Sequence, residues 1–175
     1  MAWTTPAAAT TGATLTKTWL DTYVKDNMVD VGQPGIGYAT MASTQVWNSV
    51  GSEAYATRIA LDTISISKNT SLSSNAVVVS QAGIWLISAV VRWPSTADAS
   101  AGSKRAVKLY VNDVATAARD MRLNVQNADT ICTIPATPVT LSAGGYFDIR
   151  GWQNSGGNLT LGSGTYLSAV LIYRS

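Results

Sequence analysis

Histidine is absent from this 175-residue chain, and cysteine occurs once. Without histidine the side chain most used for general acid–base work and for zinc or iron ligation is missing. A Ser-His-Asp or Cys-His arrangement therefore cannot form. A single cysteine, Cys132, excludes an intrachain disulfide and a cysteine metal cluster. In Thr130-Ile131-Cys132-Thr133-Ile134 it reads as a small buried apolar group, with a reactive thiol as the alternative. Charge is also sparse: 12 Lys and Arg stand against 10 Asp and Glu, 13% of the chain in all. The basic excess is scattered, so there is no footprint for a phosphate backbone and no nucleic acid partner is expected. No apolar run is long enough for a signal peptide or a membrane helix, so synthesis in a cytoplasm and no membrane partner are expected. On that expectation the sequons at Asn69 and Asn158 carry little meaning. A Gly-x-Ser-x-Gly elbow is missing, Gly102-Ser103-Lys104 lacks the upstream glycine of a phosphate loop, and no Asp-x-Asp spacing suggests calcium. No cofactor or metal is expected.

What remains is a chain built to fold, since 46% of it is hydrophobic and disorder needs low hydrophobicity with high net charge. Residues 1–13 are Thr, Ala, Pro and Gly around Trp3, and read as an extended arm. From Thr14 the period changes. Trp19, Leu20, Tyr23, Val24 and Met28 recur at three- and four-residue spacing, which predicts an amphipathic helix. Thr16 or Thr18 can cap its start, with Asp21 in the capping-box position after Thr18, and Gly32 followed by Pro34 stops it. A helix of about 15 residues is marginal alone in water, so its apolar face needs cover, from its own domain or from another chain. Gln33-Pro34-Gly35-Ile36-Gly37 reads as a linker, which divides the chain into residues 1–37 and 38–175.

Beyond the linker the pattern is β nearly to the last residue. Runs at Arg58–Ser67, Ala76–Ser80, Ile84–Trp93, Ala106–Val111, Thr130–Ile134, Tyr146–Trp152, Asn158–Leu161 and Tyr166–Tyr173 are separated by Gly, Ser, Asn and Asp clusters. Asn112-Asp113 suits a two-residue hairpin turn. Eight or more short strands without an intervening helix predict an all-β antiparallel sandwich or jelly roll. Two runs, Ile84–Trp93 and Leu167–Tyr173, are apolar on both faces, so their outer faces need cover, most simply from another subunit, with loops or the helix as the alternative.

Candidate chemistry is thin. Glu53, Asp62, Asp98, Asp113, Asp120, Asp129 and Asp148 could supply a carboxylate pair for glycoside hydrolysis, but that many carboxylates in a β domain make a chance pair easy. Trp47, Trp93, Trp152, Tyr110 and Tyr146 could stack on sugars, or serve as core and interface anchors. Trp152, Gln153 and Asn154, at a strand end facing a loop, form the candidate ligand surface. Arg92, Arg105, Arg119, Arg122 and Arg150 read as solvated rims or interface pairs.

Ala82-Gly83-Ile84-Trp85-Leu86-Ile87-Ser88-Ala89 resembles the "aGxYxIsa" strand of the jelly roll in the globular head of complement component one q and in tumour-necrosis-factor-like proteins. Gly102 to Asn112 is similar to the family's "GxRxxxlxxNG" hairpin, Leu141 to Ile149 to its "LxaGDxvxl" strand, Gln153-Asn154-Ser155-Gly156 to its "QxSG" turn, and Thr165 to Leu171 to its "tyLsvxli" ending. The order and spacing agree over roughly residues 60–175, with Trp85, Asp113 and Gly145 departing from the pattern. Leu15 to Met28 resembles the "LTaaxLNtyvrDN" segment that opens many bacteriophage head and tail accessory proteins, with Asp21 in place of the usual Asn. Together these resemblances imply a non-enzymatic phage virion protein on the virion surface, a capsid decoration or head-fibre homotrimer. Trp3, Trp19, Leu20, Tyr23, Val24 and Met28 would dock on the capsid or other virion proteins. Trp85, Ile87, Tyr110, Tyr146, Leu171 and Tyr173 would be trimer contacts. The alternative is a tail-associated receptor-binding protein that recognises host surface glycan.

Overall fold

A computed structural model describes residues 34–95, 102–123 and 128–175. The expected arm and helix, including Trp3, Trp19, Leu20, Tyr23, Val24 and Met28, lie outside the described residues. Residues 35–175 form one compact unit. Its strands are β1 (Ile36–Thr40), β2 (Gln45–Trp47), β3 (Thr63–Lys68), β4 (Thr70–Ser73), β5 (Ala76–Val79), β6 (Gly83–Trp93), β7 (Lys104–Val111), β8 (Val114–Leu123), β9 (Thr130–Leu141), β10 (Tyr146–Gln153), β11 (Leu159–Leu161) and β12 (Tyr166–Arg174). Among the described residues there is no helix.

Two five-stranded antiparallel sheets make the sandwich. The first runs β3-β1-β12-β6-β9 and the second β4-β5-β10-β7-β8, while β11 and β2 pair as a short third ladder. β1 begins at Ile36 and pairs with β12 from Ile36↔Val170 to Thr40↔Tyr166, so residues 36 and 37, expected to be linker, are strand. The hairpin at Asn112-Asp113 is present: both residues have positive φ, 48° and 64°, and Val111 pairs with Val114, as a two-residue turn matching the strand twist requires. β9 runs well past Ile134 to Leu141 despite Pro135 and Pro138. It is an edge strand, where a residue without an N–H does not interrupt a ladder.

β6 alternates strictly, although its sequence is apolar on both sides. Trp85, Ile87, Ala89, Val91 and Trp93 face inward, and Ile84, Leu86, Ser88, Val90 and Arg92 face outward. Inside, they meet Val107 and Leu109 of β7, Phe147 and Ile149 of β10, Ile134 and Leu141 of β9, and Leu167, Ala169 and Leu171 of β12. Gly83 opens the strand at φ 151°, with Tyr173 O and Leu171 Cδ1 at 2.1 and 2.7 Å from where a Cβ would stand. That close crossing of two backbones is what the glycine permits.

The run Arg58–Ser67 is not one strand. Residues 48–62 form a strap, and only Thr63 onward enters the first sheet. β5 pairs with β10 only at Tyr146 and Phe147, which leaves the rest of that edge of β10 open. The strap fills it: Ile59 N donates to Ile149 O at 2.9 Å, Arg58 bridges to Arg150, and Val50 N donates to Gln153 O at 3.0 Å. Gln45 holds the strap from the other side, accepting from Ala60 N and donating to Arg58 O.

Candidate functional site

The outer face of the first sheet is where the fold leaves apolar side chains uncovered. Its outward positions are Ile36, Tyr38 and Thr40 on β1, Tyr166, Ser168 and Val170 on β12, and Ile84, Leu86, Ser88 and Val90 on β6. None is charged. Register places Tyr38 opposite Ser168, which is opposite Ser88, and the two serine hydroxyls are 2.8 Å apart. Tyr38 and Tyr166 lie side by side, ring centroids 5.3 Å apart and tilted by 33°. Around this centre Val170 is 39% exposed and Ile66, Ile131, Ile172 and Tyr173 are more than half exposed. An uncharged, partly aromatic surface is the composition of a buried interface core rather than of a solvated face.

Of the expected interface residues only Tyr173 is exposed on this sheet. Trp85 and Ile87 are fully buried and Leu171 nearly so, because they sit on the inward phase of their strands. A two-sided apolar strand does not say which of its faces looks in, and the outward phase is Ile84, Leu86 and Val90. Tyr110 and Tyr146 are on the second sheet, away from this face. Sequence reading missed Tyr38 and Tyr166, whose one available signal was an aromatic in register beside serines.

The second sheet's outer face is charged and, along β10, covered by the strap, while the β8 edge stays exposed at Val114 and Leu123. Asp148 has no solvent exposure and accepts from two guanidinium groups, Arg150 Nε at 2.8 Å and Arg58 Nε at 3.1 Å. Both arginines also reach Asp113, Arg58 Nη2 at 2.8 Å, and Tyr146 Oη donates to Asp113 at 2.7 Å. The arginines stack as well, Arg150 4.0 Å above Tyr110 and Arg58 5.3 Å from Tyr146. The Tyr146 hydroxyl, then Arg58 and Arg150, hold the Asp113 carboxyl at about 2. Glu53 accepts from Arg119 at 2.7 Å, and Lys108 lies over the Tyr55 ring, so the strap is tied down along its length. Asp113 and Asp148 are two of the carboxylates enumerated for hydrolysis, and Arg58 and Arg150 bridge and neutralise them. A general acid there would need a raised pKa, and Asp113 is shifted the opposite way. Among the described residues no group of three His, Cys, Asp or Glu comes together as a metal site.

Trp152, Gln153 and Asn154 do not form an open surface. Trp152 is buried under the strap and its Nε1 donates to Val50 O at 3.1 Å. Gln153 is buried too, donating to Trp47 O and Gly157 O and accepting from Ser155 N at 2.7 Å, while Asn154 Oδ1 accepts from Lys104 N at 2.6 Å. These three build the 153–157 turn. Strap cover is invisible in the local sequence, so a tryptophan beside two amides looked accessible. Arg105, expected at a rim, is fully buried, and Cys132 is a buried thiol pushed up to about 12 by desolvation.

Comparison with known proteins agrees with this architecture. No family model and no curated protein sequence matches the chain. Solved structures do: Eiger TNF from S. frugiperda, with a TM-score of 0.60 and 10% identity over 81% of this chain and 94% of that one, and the globular domain of zebrafish complement 1qA, with a TM-score of 0.56 and 12% identity over 82% of this chain and all of that one. Murine APRIL gives a TM-score of 0.54 and 15% identity over 80% of this chain and all of that one. At such identities the likeness is one of fold. The described part of the chain is a jelly roll of the tumour-necrosis-factor and complement-one-q type.

Proposed function

We propose that the jelly roll assembles as a homotrimer through the uncharged outer face of its first sheet, centred on Tyr38, Tyr166, Ser88 and Ser168. On this reading the chain is a non-enzymatic accessory protein of a bacteriophage particle, a capsid decoration or head-fibre subunit on the virion surface. The observation that carries the assembly is the block of ten uncharged outward positions on β1, β12 and β6, with Arg92 only at its edge, since charged side chains are depleted in interface cores. The phage assignment rests on the likeness of residues 15–28 to the opening segment of phage accessory proteins. The tail-associated, glycan-binding alternative loses its candidate surface, because Trp152 and Gln153 are buried.

The test is the native mass of the full-length protein together with its binding to particles that lack it. A species of three times 18.4 kDa that binds those particles and raises their resistance to heat supports the reading, because a protein that binds only the assembled shell stabilises it by mass action. Deleting residues 1–35 should leave a soluble trimer that no longer binds. A monomeric full-length protein refutes the assembly, and a trimer that binds host cells instead of heads refutes the decoration role.

A further inference from the structure

Strand alternation puts Ser103 and Arg105 on the same inward side at the start of β7, with exposed Lys104 between them. Arg105 has no solvent exposure and Ser103 almost none. The guanidinium lies where β6 ends, β9 begins and β7 starts, and it ties the two sheets together. Nη1 donates to Pro94 O at 2.9 Å, and to Trp93 O and Thr130 Oγ1 at 3.2 Å. All three acceptors are neutral. Nε and Nη2 have no acceptor, and neither does the Ser103 hydroxyl.

That combination is anomalous. Arginine keeps its charge, offers five N–H donors and accepts nothing. A buried ion is normally paired, because an uncompensated one costs several kcal/mol. Among the described residues, neighbouring groups do not supply the counter-charge. Asp129 influences Arg105 electrostatically, but its oxygens are engaged by Arg92 Nε at 2.5 Å and Ser95 N at 2.8 Å. The Cys132 thiol donates to Arg105 O at 3.4 Å, and burial keeps it protonated.

We propose that Arg105 Nε and Nη2, with Ser103 Oγ, form a binding site for one small monovalent inorganic anion, chloride being the natural candidate, enclosed at this end of the sandwich. Three features select the class. The orphaned groups are all donors, which calls for an acceptor. Arg105 supplies one positive charge, which balances one negative charge and leaves a divalent ion uncompensated. Burial of both residues excludes an organic carboxylate or phosphate ester, which needs a route and a volume for its body. Seated there, the anion neutralises the one arginine that joins β7 of the second sheet to β6 and β9 of the first.

Thermal unfolding of the full-length protein tests this, at fixed protein concentration and ionic strength, as chloride replaces gluconate, an anion too large to enter. The expected result is a Tm that climbs with chloride by about 3–5 °C, as mass action on the folded state requires. Arg105→Gln should remove the dependence, and Ser103→Ala should weaken it. Ser103→Ala deletes one hydroxyl and carries the comparison if Arg105→Gln does not fold. Bromide in place of chloride should give an anomalous peak within about 3.5 Å of Arg105 in crystals of the same protein, the reach of a hydrogen bond. A Tm that follows ionic strength alone, or a water and no bromide peak beside Arg105, overturns the site.

Discussion

The two sheets share one core and turn opposite outer faces to the world. On the second, residues 48–62 are laid over the strands and fastened by a network of Arg58, Asp113, Asp148 and Arg150, so that even Trp152 is buried within the single chain. On the first, Ile84, Leu86, Val90 and Val170 sit beside Tyr38 and Tyr166, with no strap among the described residues and no charge nearer than Arg92 along β6. One face is fastened intramolecularly along β10, and the other keeps a half-exposed apolar patch, which the proposed trimer would cover. Charge placement marks the difference: a carboxylate and guanidinium network lies where the chain closes on itself, and on the open face the charge stands at the edge, where Arg92 pairs with Asp129.

Opening the shared core should have the largest effect. β12 lies between β1 and β6, and Leu167, Ala169 and Leu171 fill the interior. Removal of residues 166–175 is expected to abolish soluble expression, read as the soluble fraction after lysis, since two strands would lose their common neighbour and the core three apolar side chains. A soluble truncated protein would mean that the first sheet closes without its central strand.

Next comes the network on the covered face. Asp148→Asn keeps the shape of the side chain and removes the charge that two arginines share, leaving Arg58 and Arg150 partly buried without their inner carboxylate. Breaking a buried pair from one side costs about 3–5 kcal/mol, to be read from urea unfolding. A loss below about 1 kcal/mol would place the strap's attachment in its backbone bonds to β10 and in the Val50–Trp152 contact.

The open face should respond differently. Val170→Asp puts a carboxylate beside the centre of the uncharged patch, at a position 39% exposed in the single chain, so the monomer's fold should change by no more than about 0.5 kcal/mol. Mass by sedimentation should fall to one third, with an unchanged far-ultraviolet spectrum. If Val170→Asp stays a trimer, the subunit contact is elsewhere and the two faces differ for another reason.

Sequence reading reached the jelly roll because its signals are local. Strand runs and the Asn112-Asp113 turn each follow from a few neighbouring residues, whereas the Gly83 crossing is set by Tyr173 and Leu171 far along the chain. Which face of a strand looks inward is not local. In Ile84–Trp93 both phases are apolar, and the choice between Trp85 and Leu86 is made by what the second sheet presents. The strap is a similar case: residues 48–57 lie in no strand run and Arg58–Leu61 reads locally as strand, while the strap's hold on β10 comes from partners about 90 to 100 positions away. Arg105 shows the same limit, since an arginine among surface residues in sequence became the one that spans the sheets.

The smallest expected effect is the acid response, and it separates the faces by their titratable groups. On the covered face the Tyr146 hydroxyl, Arg58 and Arg150 bring Asp113 from its ordinary 3.8 to about 2. Asp62, at the strap's end, is likewise at about 2, held by the Ser43 hydroxyl and the backbone N–H groups of Ala42 and Ser43. A carboxylate whose folded value lies below its unfolded one stabilises the fold fully above the unfolded value, and the contribution vanishes as pH falls through both. Stability should therefore decline from about pH 4 to about pH 2, and Asp113→Asn or Asp62→Asn should each flatten that decline. The outward positions of β1, β12 and β6 carry no carboxylate, and the acid-sensitive contact on that side is at its edge, where Ser95 N–H and Arg92 hold the Asp129 carboxyl below its ordinary value. Fluorescence of Trp152, buried against Val50, should report the strap loosening over this range before the trimer's mass changes. If the mass falls first, carboxylates outside the strap govern the contact between subunits, and the division of labour between the faces is wrong.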